Sequence, residues 1–210
     1  MFFLESKHVL DAATVDHTLV VNKDGARLQK MMDDVTLCEW IIPILHMESK
    51  DEEVFVDIDE TFLKLLKKIN FFSLDNTSAY FDNITYVYNV GEMVTWETRL
   101  PKLAGILSIP ETIDLYYDHS DAHMYIEDEY LNLVFKKIYK IKLKVFKSFQ
   151  KVSEKVFINF NIVNEIFQKH KTEVCKIYIE EDFPMCLEFS DSVSLLTRYY
   201  IAPLYDEEGI

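Results

Sequence analysis

The residues best suited to chemistry in this chain are two histidines, three acidic runs and three cysteines, and their spacing excludes most enzyme classes. His119 and His123 flank Ser120-Asp121-Ala122 and would form a metal pair on a helix. The surrounding LYYDHSDAHMYIED reads instead as two strands about a polar turn, where neutral surface histidines are commoner than ligands. Asp51-Glu52-Glu53, Glu127-Asp128-Glu129 and Asp206-Glu207-Glu208 read as solvated loops and tails, and nothing selects a carboxylate pair for acid–base work. Cys38, Cys175 and Cys186 contain no CxxC spacing and are odd in number, as expected for free thiols in a reducing, intracellular compartment. The four glycines, Gly25, Gly91, Gly105 and Gly209, lie far apart. A phosphate-binding loop, a dinucleotide turn and a nucleophile elbow all need clustered glycines, so each is excluded. We expect no enzyme and no metal site.

With 210 residues, 49% hydrophobic and 28% charged, the chain can bury a proper core as one large or two small domains. No apolar run approaches the ~18 residues of a membrane span, and MFFLESKHVLDAA lacks the pattern of a signal peptide. The net charge of −14 opposes nucleic-acid binding unless the few cations are segregated onto one surface.

A unit recurs along the chain. Residues 54–68 (VFVDIDETFLKLLKK) and 156–171 (VFINFNIVNEIFQKHK) each run from an alternating strand into an amphipathic helix. Asp59 and Asn161 stand at the junctions, where a side-chain oxygen can cap the first helical amides. A weaker copy begins at MVTWETRLPKLAGIL (93–107), with Pro101 near the start of a short helix over 99–107. A fourth is the amino terminus, Met1–Leu4 as strand and Glu5–Ala13 as helix. Strand-like stretches follow each helix, with turn chemistry at Asp24-Gly25, Asp75-Asn76 and Asp82-Asn83. The expected fold is α+β: two similar domains, 1–90 and 91–210, each of two βαβββ units.

The helices share a polarity. Phe62, Leu66 and Ile69 lie opposite Lys64, Lys67 and Lys68. Leu100, Ala104 and Leu107 oppose Lys102, beside Arg99. Ile162 and Ile166 oppose Asn164, Gln168 and Lys171, and Val9 and Ala13 oppose Lys7 and Asp11. In KKIYKIKLKVFK (136–147), Lys140, Lys142 and Lys144 alternate with Ile141, Leu143 and Val145, which reads as a solvated outer sheet face or a lysine-protected edge.

The end of the chain, FPMCLEFSDSVSLLTRYYIAPLYDEEGI (183–210), resembles that of the proliferating cell nuclear antigen family. There a Pro-apolar-Glu-aromatic strand precedes Tyr-Tyr-Leu-Ala-Pro and an acidic tail. KDGARLQKMMDDVTLCEW (23–40) is similar to that family's first domain, and LAGILSIPETIDLYYDHSDAHMYIED is closer in spacing to the smaller clamp of T4-like phages. The resemblance spans most of 1–205 and is most specific at 184–203. It departs in a short first strand and helix and in almost no connector around 88–93.

The resemblance implies a sliding clamp, in which helices line a ring around duplex DNA and tether a polymerase. It implies a homotrimer of two-domain subunits, a separate clamp loader, and sequence-independent DNA contact through Lys7, Lys64, Lys67, Lys68, Arg99, Lys102 and Lys171. It also implies a pocket for client peptides formed by Met31, Leu37, Pro184, Tyr200, Ala202 and Pro203. The rival expectations are a monomeric viral processivity factor, a subunit of a heteromeric checkpoint-type clamp, and an unrelated β-rich interaction protein. The small size suggests a phage or other viral source, hence host cytoplasm; a eukaryotic source would place the protein in the nucleus.

Overall fold

The computed structural model describes residues 1–13, 17–48, 53–90, 98–111, 113, 121–135, 139–171, 173–190 and 195–204. These form mostly β-sheet with three short helices. Contacts divide the chain into a first unit, Met1–Met31, Cys38–Glu97 and Asp191–Thr197, and a second, Met32–Leu37, Thr98–Ser190 and Arg198–Ile210.

The first unit holds two copies of one motif. Its first copy is β1 (Phe2–Glu5), α1 (Ser6–Ala12), β2 (His17–Asn22), β3 (Gly25–Met31) and β4 (Thr36–Ile42). After the short β5 (His46–Met47) comes the second: β6 (Val54–Ile58), α2 (Glu60–Leu66), β7 (Phe71–Leu74), β8 (Ser78–Phe81) and β9 (Ile84–Val87). The leading strands are exchanged. β6 pairs antiparallel with β2, and β1 pairs antiparallel with β7. Alternation sets each face, since Val54, Val56 and Ile58 are buried while Phe55 and Asp57 are half-buried.

α2 starts where the side chain of Asp59 accepts the Phe62 amide at 2.7 Å. Burial would raise the Asp59 pKa, but the Tyr86 hydroxyl and the amides of Phe62 and Thr61 outweigh it, so the carboxyl sits below its ordinary range. Phe62 and Leu66, four residues apart, enter the core, where Phe62 meets Phe72, Phe81 and Tyr86 edge-on at 5.4–6.1 Å. α1 lies beside α2 and buries Val9 and Ala12.

The second unit repeats the exchange. Its strands are β10 (Leu103–Ser108), β11 (Asp121–Glu127), β12 (Tyr130–Phe135), β13 (Tyr139–Ser148), β14 (Val156–Asn159), β15 (Val174–Tyr178), β16 (Met185–Ser190) and β17 (Leu196–Ile201), with α3 (Phe160–Lys169) after β14. β14 pairs with β11 and β10 with β15, as β6 does with β2 and β1 with β7. The closing segments repeat too. The Asp57 amide donates to the Asn89 carbonyl at 3.0 Å, and the Leu204 amide to the Phe157 carbonyl at 2.7 Å.

This topology corrects two local expectations. No helix occupies 99–107, because Leu103–Ser108 is the leading strand of the third copy. Its register against β15 slips between Leu103 and Gly105. That extra residue puts Ala104 and Leu107 on one buried side three positions apart, which imitates a helical spacing. Gly105 is required by close approach: a Cβ there would lie 2.6 Å from the Ile126 side chain and 3.1 Å from the Lys147 carbonyl. The interval 112–120, apart from 113, and the stretch 91–97 lie outside the described residues, so neither tests a helix in that copy.

Second, the cap of α3 is Asn159, whose side chain accepts the Asn161 amide at 3.0 Å. Asn161 is already helical, because the strand ends one alternation earlier and Phe160 turns into the core. Val163 rather than Ile162 is fully inward beside Ile166. β13 pairs with β12 through Tyr139–Lys144 and with β10 only from Val145 to Ser148, so the stretch carrying Lys140, Lys142 and Lys144 is paired on one side, as in a lysine-protected edge. No helix among the described residues is long and apolar enough to cross a membrane.

Candidate nucleic-acid and partner surfaces

The helical cations depend on what their helices bury. Lys7 is exposed on α1, whose Ser6, His8, Val9 and Ala12 point inward. On α2, Lys64 is 68% exposed and pairs with Glu60 at 3.0 Å. Lys67 and Lys68 follow at the carboxyl end, both exposed, where the helix dipole favours positive charge. Asp11 and Glu60 offset part of this charge, so the cationic excess of the first unit's helices is concentrated at the end of α2. In α3, Lys169 closes the last turn and is exposed, as is Lys171 just beyond it. Lys169 completes this pair and was missed, although KLLKK at 64–68 and QKHK at 168–171 offered the same signal.

Arg99 and Lys102 belong elsewhere. They precede β10 and lie on no helix. Arg99 sits 4.4 Å over the Phe183 ring and donates to Glu180 at 3.0 and 3.2 Å. Lys102 lies 3.6 Å from Glu154 and 3.9 Å from Glu180. Both cations are therefore committed to carboxylates around the β15–β16 turn, next to Leu100 and Leu103.

Those leucines mark a second apolar surface. Phe189 stacks on His170 at 3.9 Å, so that side of β15–β17 faces the end of α3. Tyr178, Cys186 and Tyr200 fall on the alternate side and form a buried cluster with Leu37, against which Leu100 and Leu103 pack. Leu37 and Tyr200 thus share one buried cluster. The Ala202 amide donates to the Val35 carbonyl at 2.9 Å, which holds half-buried Ala202 and Pro203 beside this cluster's own strand. Pro184 is exposed just before β16, and Met31, 37% exposed, ends β3 in the first unit. Leu100, Leu103, Tyr178 and Cys186 were not anticipated; the first two were hidden by the helical reading of 99–107.

A charged ladder adjoins the cluster on the same face. Glu188 is 3% exposed and accepts from Lys176 at 2.7 Å, Arg198 at 2.9 Å and the Tyr178 hydroxyl at 3.2 Å. Burial would raise its pKa, but the hydrogen bonds and charges of Lys176 and Arg198 outweigh this and hold it below 4.5.

Cys38, Cys175 and Cys186 are buried and form no disulfide, and burial pushes the Cys175 thiol well up, away from the thiolate. Among the described residues no group of His, Cys, Asp and Glu is arranged to hold a metal. His123 lies on β11 with its ring 4.8 Å from Phe157, and His119 falls outside the described residues.

No family model matches the chain, and no curated protein matches it in sequence. A solved structure does. The chain superposes on PCNA in a structure of the C-terminal region of FEN-1 bound to A. fulgidus PCNA, with a TM-score of 0.64 and 13% identity over 99% of this chain and 100% of the other. The fold is PCNA-like; at that identity the likeness is one of fold.

Proposed function

We propose that this protein is a sliding clamp: a homotrimeric ring that encircles duplex DNA without sequence preference and tethers a polymerase, with a separate loader opening it. In this reading it makes and breaks no bond and needs no cofactor. The observation that carries the reading is the exchanged βαβββ repeat, which matches a PCNA chain over its whole length. The exposed cations ending α2 and α3 supply a second support, since a net charge of −14 leaves few other sources of phosphate attraction. Weak, screened attraction suits sliding, with retention supplied by closure and not by affinity. A trimer would close through a heterologous contact repeated by rotation.

Sedimentation should give three times the 24.8 kDa chain mass, and protein loaded on circular DNA should be released when the circle is cut. Lys64→Ala, Lys67→Ala and Lys68→Ala together should keep that mass and flatten the salt dependence of DNA association, by ~0.9 in log–log slope per lost contact. A persistent monomer, or retention indifferent to cutting, would leave a monomeric processivity factor as the better reading. A ring that forms only with other subunits would favour the checkpoint-type assembly.

The cluster of Leu37, Tyr178, Cys186 and Tyr200 is proposed as the floor of a client-peptide pocket, rimmed by Pro184, Ala202 and Pro203. Ala202→Glu should weaken a peptide carrying one aliphatic and two aromatic anchors by at least about tenfold, the scale of a single hot spot, with the ring mass unchanged. Unaltered affinity in calorimetry would move the site.

A further inference from the structure

The floor of the client pocket is covered. Leu37, Tyr178, Cys186 and Tyr200 are all buried, so an incoming side chain finds too little of them open to seat against. Leu100 and Leu103 pack on them, and the two are held differently. Leu103 begins β10 and lies opposite Tyr178 in the β10–β15 ladder, and the Lys102 carbonyl accepts the Ile179 amide at 2.9 Å. Residues 98–101 precede that ladder and lie in no helix or strand. Leu100 therefore rides on a strap rooted at Lys102, while Leu103 is part of the sheet.

Charge fastens the strap. Arg99 donates to Glu180 at 3.0 and 3.2 Å and lies 4.4 Å over the Phe183 ring. Lys102 stands 3.6 Å from Glu154 and 3.9 Å from Glu180. The fastening is asymmetric. Glu180 is 13% exposed, and Glu154 beside it accepts the Glu181 amide, so the carboxylate end is fixed. Arg99 and Lys102 are 63% and 60% exposed and can swing to water. An exposed ion pair favours its closed form by about fivefold at most, and salt screens it. A cation over a ring adds a similar factor. Such a latch holds a segment down without locking it.

We propose that residues 98–102 are an autoinhibitory strap. Leu100 occupies an anchor position of the client pocket, Arg99 latches it to Glu180, and a client binds by displacing it. This rests on the pocket reading above and adds its regulation: the apparent affinity for a client is reduced by the fraction of chains whose strap is open. If Leu100 were instead a permanent wall of the pocket, its loss would weaken binding.

Calorimetry of the full chain with an uncharged peptide carrying one aliphatic and two aromatic anchors tests it. Leu100→Ser and Arg99→Ala should each tighten binding by at least about threefold, the scale of one latch contact. Arg99→Ala leaves Leu100 in place, so lost packing cannot account for a shared result, and thermal melts confirm that both variants fold. Binding to the parent should tighten as salt rises, and less so in Arg99→Ala, whose latch is already gone. A second readout needs no peptide: Cys186, in the covered floor, should react with a thiol reagent severalfold faster in both variants, followed by the mass of the peptide that contains it. If Ala202→Glu weakens binding but neither strap variant tightens it, the strap is overturned and the pocket stands. Weaker binding in Leu100→Ser overturns the strap as well. If binding ignores Ala202→Glu, the pocket reading falls and labelling judges the strap: faster rates in both variants support a cover over the cluster, and equal rates overturn it.

Discussion

Glu188→Ala destabilises the second unit by about 3 kcal/mol, the lower end of the cost of breaking a buried ion pair. The carboxylate is 3% exposed and satisfies Lys176, Arg198 and the Tyr178 hydroxyl together. Its removal takes a close carboxylate partner from Arg198, 18% exposed, at a greater cost than from Lys176, which at 44% can turn to water. The wild-type contribution is also pH-dependent. The folded pKa is depressed, so the stabilisation is complete above the ordinary carboxyl value of 4.5 and is lost as pH falls through the lower folded value. Denaturant melts of the two proteins should therefore differ most above pH 5 and converge in acid. A gap that widens on acidification would mean that Glu188 is not the charged partner. Because Tyr178 donates to Glu188 from within the apolar cluster, the variant should also loosen the proposed client pocket.

What could be read from sequence followed how strictly each segment obeyed one period. VFVDI alternates without interruption and Asp59 breaks the pattern, so the β6–α2 junction was legible to the residue. At β14 the aromatic Phe160 continues the strand's alternation although it already belongs to α3, which displaced the expected cap by two residues. β10 failed for a stronger reason. A bulge mixes two periods inside six residues, and only its partner strand reveals which residue is extra. That single misreading carried Arg99 and Lys102 to a helix face, although both answer carboxylates near the β15–β16 turn. It also hid Leu100 and Leu103 from the apolar cluster. Tyr200 and Leu37 were recoverable because YYIAP and the strand after Asp34 resemble a known pattern. Tyr178 and Cys186 required the register of β15 against β16.

Charge follows a similar logic. The exposed lysines at the end of α2 were predictable from the helical wheel, since burial of Phe62 and Leu66 leaves them no other direction. The row on β13 was visible as an alternation, but its meaning depended on whether the strand had a free edge. The registers decide that, since residues 139–144 pair with β12 alone and β10 joins only from Val145, and no property of the row itself could.

Phe62→Ala should cost about 3–5 kcal/mol, the range for emptying a buried aromatic site. Phe62 is fully buried, and its ring is the shared partner of Phe72, Phe81 and Tyr86. Those partners come from three strands that α2 must cover, so their collapse into the vacated space would pull β7, β8 and β9 out of register. Relief is therefore small, and the loss should fall toward the upper half of the range. For a chain of this length it corresponds to a melting temperature lower by roughly 10 °C. Amides of 60–66 and 71–87 should lose hydrogen-exchange protection before those of β10–β17, because this core belongs to the first unit. Lys64, Lys67 and Lys68 lie on the same helix but outside that core, and their joint replacement should move stability little, surface changes being usually within ~0.5 kcal/mol each. The two variants separate anchoring from charge. Phe62→Ala at low temperature keeps the cations and should keep the salt dependence of DNA association, while the lysine variant keeps the core and loses it. If Phe62→Ala melts within 2 °C of the parent, α2 is not held by its aromatic contacts, and the lysines it carries have no fixed surface to present.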